Sequence, residues 1–105
     1  MIMVTIDSIP GKEIKEVLGI ARGSAVRARH VGNDIMAGLK GLVGGEIEEY
    51  TKLQAESREQ ALQRLQRDAE ELGADAVLNI RITTSTVSNG AAEILVYGTA
   101  VTLTS

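Results

Sequence analysis

The spacing of apolar positions changes along the chain, and the changes mark its elements. Met3 to Ile6 is a short apolar run with β-branched residues, which predicts an edge strand; Ser8-Ile9-Pro10-Gly11 then breaks the pattern. From Ile14 to Ala28 the chain is rich in Val, Ile and Ala. Leu18, Ile20, Val26 and Ala28 share one parity, which predicts a strand with that face buried. Gly19 and Gly23 fall on the other parity, where a strand bends or meets another backbone. After Arg27, Arg29 and His30, Asn33 or Asp34 is placed to cap a short helix through Ile35, Met36 and Leu39. Gly38, Gly41, Gly44 and Gly45 then argue against a long regular helix.

Glu46 to Leu72 has neither Gly nor Pro and is dense in Glu, Gln, Arg, Leu and Ala. It predicts a helix about 40 Å long. Gly45 serves as N-cap, Glu46, Glu48 and Glu49 complement the helix dipole, and Gly73 is the stop. Ala76–Ser88 and Ala91–Thr104 read as a hairpin around Asn89-Gly90, a strong type I′ turn signal. Each arm would span roughly 43 Å, so the helix matches the hairpin in length. A two-residue loop pairs Ser88 with Ala91. It then pairs Ile82 with Tyr97, Ile80 with Thr99, Leu78 with Val101 and Ala76 with Leu103, all on one face. The same register sets Arg81 opposite Gly98, leaving room for the guanidinium over the partner strand.

The reverse face of that hairpin carries Val77, Val87, Ile94, Val96 and Ala100. One helix covers one face, and an antiparallel sheet with a solvated second face should be polar there. A contiguous apolar face marks an interface, so the pattern predicts a homo-oligomer whose copies cover this surface.

Composition strengthens that expectation. A chain of 105 residues suits a single domain, residues 1–105. It has no Phe or Trp and only Tyr50 and Tyr97 as aromatics, so its private core must be built from aliphatic side chains. Net charge is −3 with scattered Lys and Arg, which gives no nucleic-acid footprint. Cysteine is absent, which removes disulfides, thiolate metal sites and cysteine nucleophiles and fits a reducing compartment. No secretory signal and no membrane-spanning apolar stretch is seen, so a cytoplasmic protein is expected.

Taken in order, several segments resemble the YbjQ-like family, small prokaryotic proteins without an established activity. They are Pro10-Gly11-Lys12 with Ile14, Leu18-Gly19-Ile20 with Gly23, Asp34 and Gly38, and Leu42 to Glu46 (LVGGE) with Tyr50. Further on come Ser57-Arg58-Glu59, Ala61-Leu62, Leu72 to Val77 (LGADAV) and Tyr97 to Val101 (YGTAV). The resemblance covers nearly the whole chain. It implies a dodecin-like α+β fold, a ββαββ subunit with one long helix packed on an antiparallel sheet. It further implies a ring-shaped homo-oligomer, a pentamer. The family also carries a heavy-metal-binding label, which rests on structural analogy.

The residues themselves offer little chemistry. Soft metal ions take Cys, Met or His, and the chain has one His, His30, and three unclustered Met. A ring would repeat His30 around its axis; the alternative is a solvated histidine after a strand. Glu46, Glu48 and Glu49 offer oxygen to a hard cation but are equally first-turn dipole complements. Gly44-Gly45 before a helix matches neither phosphate-loop pattern, and the acids that follow repel anions; tight backbone packing where elements or subunits meet is the plainer reading.

Arg58 falls near the centre of the stripe Ile47, Tyr50, Ala61, Leu65, Ala69 and Leu72. Either the helix leaves the sheet there, or Arg58 pairs with a carboxylate (Glu93, Asp34 or Glu59), or it holds an anionic ligand. No catalytic set emerges, and no enzymatic activity is expected. The expected function is a self-assembling binding module whose ligand, a metal ion or small molecule, is shared between subunits. The alternatives are a scaffold that binds a protein partner and an enzyme with an inter-subunit site.

Overall fold

The computed structural model describes residues 1–27, 48–88 and 91–104, with side chains for 1–26, 54–85 and 91–104. The expected short helix from Asn33 or Asp34, the glycine run with Gly44 and Gly45, His30, the first-turn acids and the Asn89-Gly90 turn lie outside the described residues. The elements are β1 (Ile2–Met3), β2 (Ile14–Arg27), α1 (Glu48–Glu71), β3 (Ala76–Ser88) and β4 (Ala91–Leu103). The strands form one sheet in the order β1-β3-β4-β2, and α1 packs on it, so the fold is α+β.

β1 runs parallel to β3, so the sheet is mixed where an antiparallel one was expected. The expected edge strand is present beyond its two ladder residues: Val4 N–H donates to Val77 O (3.0 Å), Ile80 N–H to Val4 O (3.1 Å) and Asn79 N–H to Ile6 O (3.0 Å). The helix stops as Gly73 predicts. Gly73 adopts φ 84, its N–H reaches Glu70 O at 3.0 Å, and Ala74 N–H reaches Ala69 O at 3.0 Å. Those two bonds satisfy the last carbonyls in a Schellman turn.

The hairpin register is correct at its tip and wrong elsewhere. Ser88 does face Ala91, but the ladder slips by one residue before Thr86 and again between Arg81 and Leu78. The pairs are therefore Ile82 with Val96, Arg81 with Tyr97, Leu78 with Thr99 and Ala76 with Val101. The second slip is a bulge at Asn79, whose φ of 54 lies in the left-handed region that Asn tolerates. Gly98 sits against this bulge. A Cβ there would stand 2.6 Å from Val77 Cγ1 and 2.9 Å from Leu78 O.

The slips change which side chains share a face. Val77, Ile80, Ile94, Val96 and Ala100 join Ala21, Ala25, Ala61, Leu65 and Ala69 in one buried cluster. Val77, Ile94, Val96 and Ala100, expected on a reverse face awaiting a second subunit, thus lie in the core beneath the chain's own helix. The side chain of Val87 lies outside the described residues.

The parity expected for β2 holds at Leu18, which packs against that cluster, and is reversed beyond the irregularity after Val17: Ala21, Gly23 and Ala25 are buried, while Ile20 and Val26 are 68% and 53% exposed, and Ala28 lies outside the described residues. The physical reason is size. Both sheet faces are apolar, and the helix settles on the one where β2 offers only small residues. At Gly23 a Cβ would stand 2.3 Å from Ala61 O and 2.3 Å from Leu65 N. The expectation for the two glycines therefore holds: Gly23 meets a helix backbone, and Gly19, at φ 121, sits beside the β2 irregularity after Val17.

The helix contact line follows Ser57, Ala61, Leu65 and Ala69, all buried, an i, i+4 row that is inclined to the helix axis. Arg58 is off this row and exposed. Within the single chain Arg58 is thus exposed, although α1 does not leave the sheet.

Candidate functional site

The face of the sheet away from α1 is covered at one end only. There Ala76, Leu78 and Val101 form a second buried cluster, packed against Val4, Ile9 and Leu103. Beyond it no described residue covers the face. β2 contributes Val17, Ile20, Arg22, Ser24 and Val26, opposite Val101, Thr99, Tyr97, Leu95 and Glu93 of β4. β3 contributes Arg81, Thr83 and Ser85 opposite Tyr97, Leu95 and Glu93. Val17 is 63% and Tyr97 40% exposed; with Ile20 and Val26 they make an apolar surface across two strands.

One row of this face is distinctive. Tyr97 is the register partner of both Arg22 and Arg81, so an aromatic ring position is flanked by two guanidinium-bearing positions. The sequence shows three separate residues. The one-residue slip between Ser88 and Thr86 brings Arg81, rather than Ile82, opposite Tyr97.

Arg81 is a main-chain clamp. Its Nη1 donates to Thr5 O at 3.0 Å and to Ile80 O at 2.9 Å, tying the N-terminal segment to the β3 edge. It does not lie opposite Gly98 as expected. Arg58, on α1, belongs to the layer covering the other face, so the two arginines singled out in the sequence are not brought together. His30, Gly44 and Gly45 lie outside the described residues.

Two side chains that sequence reasoning missed act at the sheet edge. β2 is an outer strand. Asp68 Oδ2 accepts from Arg22 N–H at 2.9 Å, and Arg64 Nη1 donates to Ser24 O. No local signal marks them, since charged residues on an exposed helix flank are ordinary.

A one-chain heavy-metal centre does not fit these residues. The chain has no Cys and a single His, and among the described residues no three of His, Cys, Asp and Glu come together. Soft ions need thiolate, thioether or imidazole donors, and one chain offers no thiolate, a single imidazole and three methionines that form no motif in the sequence. Among the described residues no helix is long and apolar enough to cross a membrane.

Comparison with known proteins places the chain in a family. The YbjQ family model, described as "Putative heavy-metal-binding", matches residues 1–104. A UPF0145 protein of Methanosarcina acetivorans is 58% identical over 101 residues, covering 96% of this chain and 95% of that one. The UPF0145 protein of Colwellia psychrerythraea is 56% identical, covering 98% of each; that of Archaeoglobus fulgidus is 54% identical over 98% of this chain and 95% of the relative. A crystal structure of a protein with unknown function, of the DUF74 family, from Pediococcus pentosaceus superposes with a TM-score of 0.61. It covers 99% of this chain and 98% of its own at 23% identity, a likeness that bears on the fold alone. On the family match and these identities, the chain belongs to the YbjQ-like family.

Proposed function

We propose that the protein is a self-assembling, non-enzymatic binding module of the cytoplasm, and that its copies meet on the open sheet face. The observation that carries this reading is the exposure of Val17, Ile20, Val26 and Tyr97 on one face of the sheet. Contiguous exposed apolar area on a small chain marks an interaction site. Shape supports the reading. The radius of gyration is 17.2 Å, where a chain of this length that closes its own core has about 13 Å. The molecule is 16 Å in its thinnest dimension, and among the described residues only one end of the sheet face away from the helix is covered.

The family resemblance implies a ring, a homopentamer. In such a ring any ligand, metal ion or small molecule, is held by groups repeated from several copies, with His30 the one imidazole each copy can offer. With no thiolate and one imidazole per chain, a site shared between copies is favoured over a private one.

Native mass spectrometry and sedimentation velocity at micromolar concentration test the reading. A closed oligomer is expected for the wild-type chain, and Ile20→Glu should shift it to monomer with an unchanged circular dichroism spectrum. A wild-type monomer at that concentration would overturn the proposal.

A further inference from the structure

An outer strand presents unpaired N–H and C=O groups to any passing strand, and apolar residues on it raise the hazard of edge-to-edge association. Among the described residues β2 is such a strand, with Ile14, Val17, Ile20 and Val26 exposed along it. In an antiparallel ladder, backbone groups of alternate residues point to opposite sides of the strand. Arg22 N–H and Ser24 C=O both bond to helix side chains, so these two residues present their backbone to the outer edge, and Gly23 between them faces β4.

We infer that Arg64 and Asp68 form an edge plug on β2. They stand one helical turn apart and reach over the strand from the same flank of α1. Asp68, an acceptor, meets an edge donor; Arg64, a donor, meets an edge acceptor two residues on. An incoming strand that paired with this stretch would need Arg22 N–H or Ser24 C=O, and both are engaged. The plug is possible only because Gly23 lets the helix backbone rest on the strand: the Cβ it lacks would stand 2.8 Å from the carbonyl carbon of Arg64. β2 is thereby closed to strand addition at its centre, and whatever assembly the protein forms must avoid this edge. This device is independent of the open-face reading, because it concerns the strand edge and not the sheet face.

The test removes the plug and then blocks the edge by other means. Asp68→Ala with Arg64→Ala, at matched concentration, should form species larger than the wild-type oligomer, whatever its size, with at least tenfold more thioflavin T signal. Adding Ser24→Pro should reverse this, because a proline there removes an outward N–H and no bond to β4. A folded double variant that keeps the wild-type size distribution overturns the plug, and so does larger association that Ser24→Pro leaves intact. Should the double variant not fold, amide exchange in the wild type decides. Arg22 N–H should exchange roughly tenfold or more slowly than Ser24 N–H, as expected of a charge-assisted bond. Equal rates would overturn the inference.

Discussion

Gly23 lies directly beneath Leu65: a Cβ built on the glycine would stand 2.3 Å from the Leu65 backbone nitrogen. The helix therefore rests on β2 backbone to backbone, and the buried Ala21, Ala25, Ala61 and Leu65 close around that contact. Replacing Gly23 by Ala or Val forces helix and sheet apart. Overpacking of this kind costs about 1–3 kcal/mol, and here the obstructing atoms are backbone. We expect Gly23→Val to lower the thermal midpoint by about 10 °C or more, and to raise Arg22 amide exchange because Asp68 no longer reaches it. Differential scanning calorimetry with exchange measurements checks both.

The bulge sets the second prediction. Asn79 holds φ 54, a conformation that β-branched residues avoid. Asn79→Val should cost about 1–2 kcal/mol, whereas Asn79→Gly should be close to neutral. Equal losses in chemical denaturation would show that the side chain of Asn79, not its backbone angle, matters. Gly98→Ala should be costly as well, since the new methyl group meets Val77 and the Leu78 carbonyl.

A third prediction separates core from surface on neighbouring strands. Val96 is buried under α1, while Ile20 is 68% exposed on the other face. Val96→Ala should destabilise the monomer unit by about 2–3 kcal/mol, read as a lower midpoint with assembly retained where the chain is folded. Ile20→Glu should leave the midpoint of the isolated unit nearly unchanged and abolish assembly. If Val96→Ala disrupted assembly without loss of stability, the assignment of the two faces would be wrong.

Arg58 supplies a fourth. It is exposed, and surface substitutions away from special features change stability by less than about 0.5 kcal/mol. Arg58→Ala should therefore match wild type in denaturant midpoint. A loss above about 2 kcal/mol would restore the buried ion-pair reading.

The metal label leads to the fifth. With no cysteine and one histidine per chain, zinc or copper titrated calorimetrically should give either no heat or a substoichiometric site lost in His30→Ala. A full site per chain that survives His30→Ala would refute the shared-donor account.

The sequence by itself determined the elements and their class. The helix over Glu48–Glu71 with its stop at Gly73, the hairpin arms at Ala76–Ser88 and from Ala91, and the edge strand near Met3 are all local matters of period and glycine. So was the presence of more apolar surface than one helix covers. Which face the helix takes was decided only by tertiary structure. Both faces of the hairpin alternate into apolar residues, and parity alone does not distinguish them. The choice depends on Gly23 and its alanine neighbours admitting a helix backbone, while two one-residue slips, one before Thr86 and one at Asn79, moved the partners of β3. A strand's period is two, so one bulge exchanges inside for outside. The bulge puts Ile80 on the same face as Val77, and because the helix takes that face Val77, Ile94, Val96 and Ala100 are core, leaving Val17, Ile20, Val26 and Tyr97 on the other.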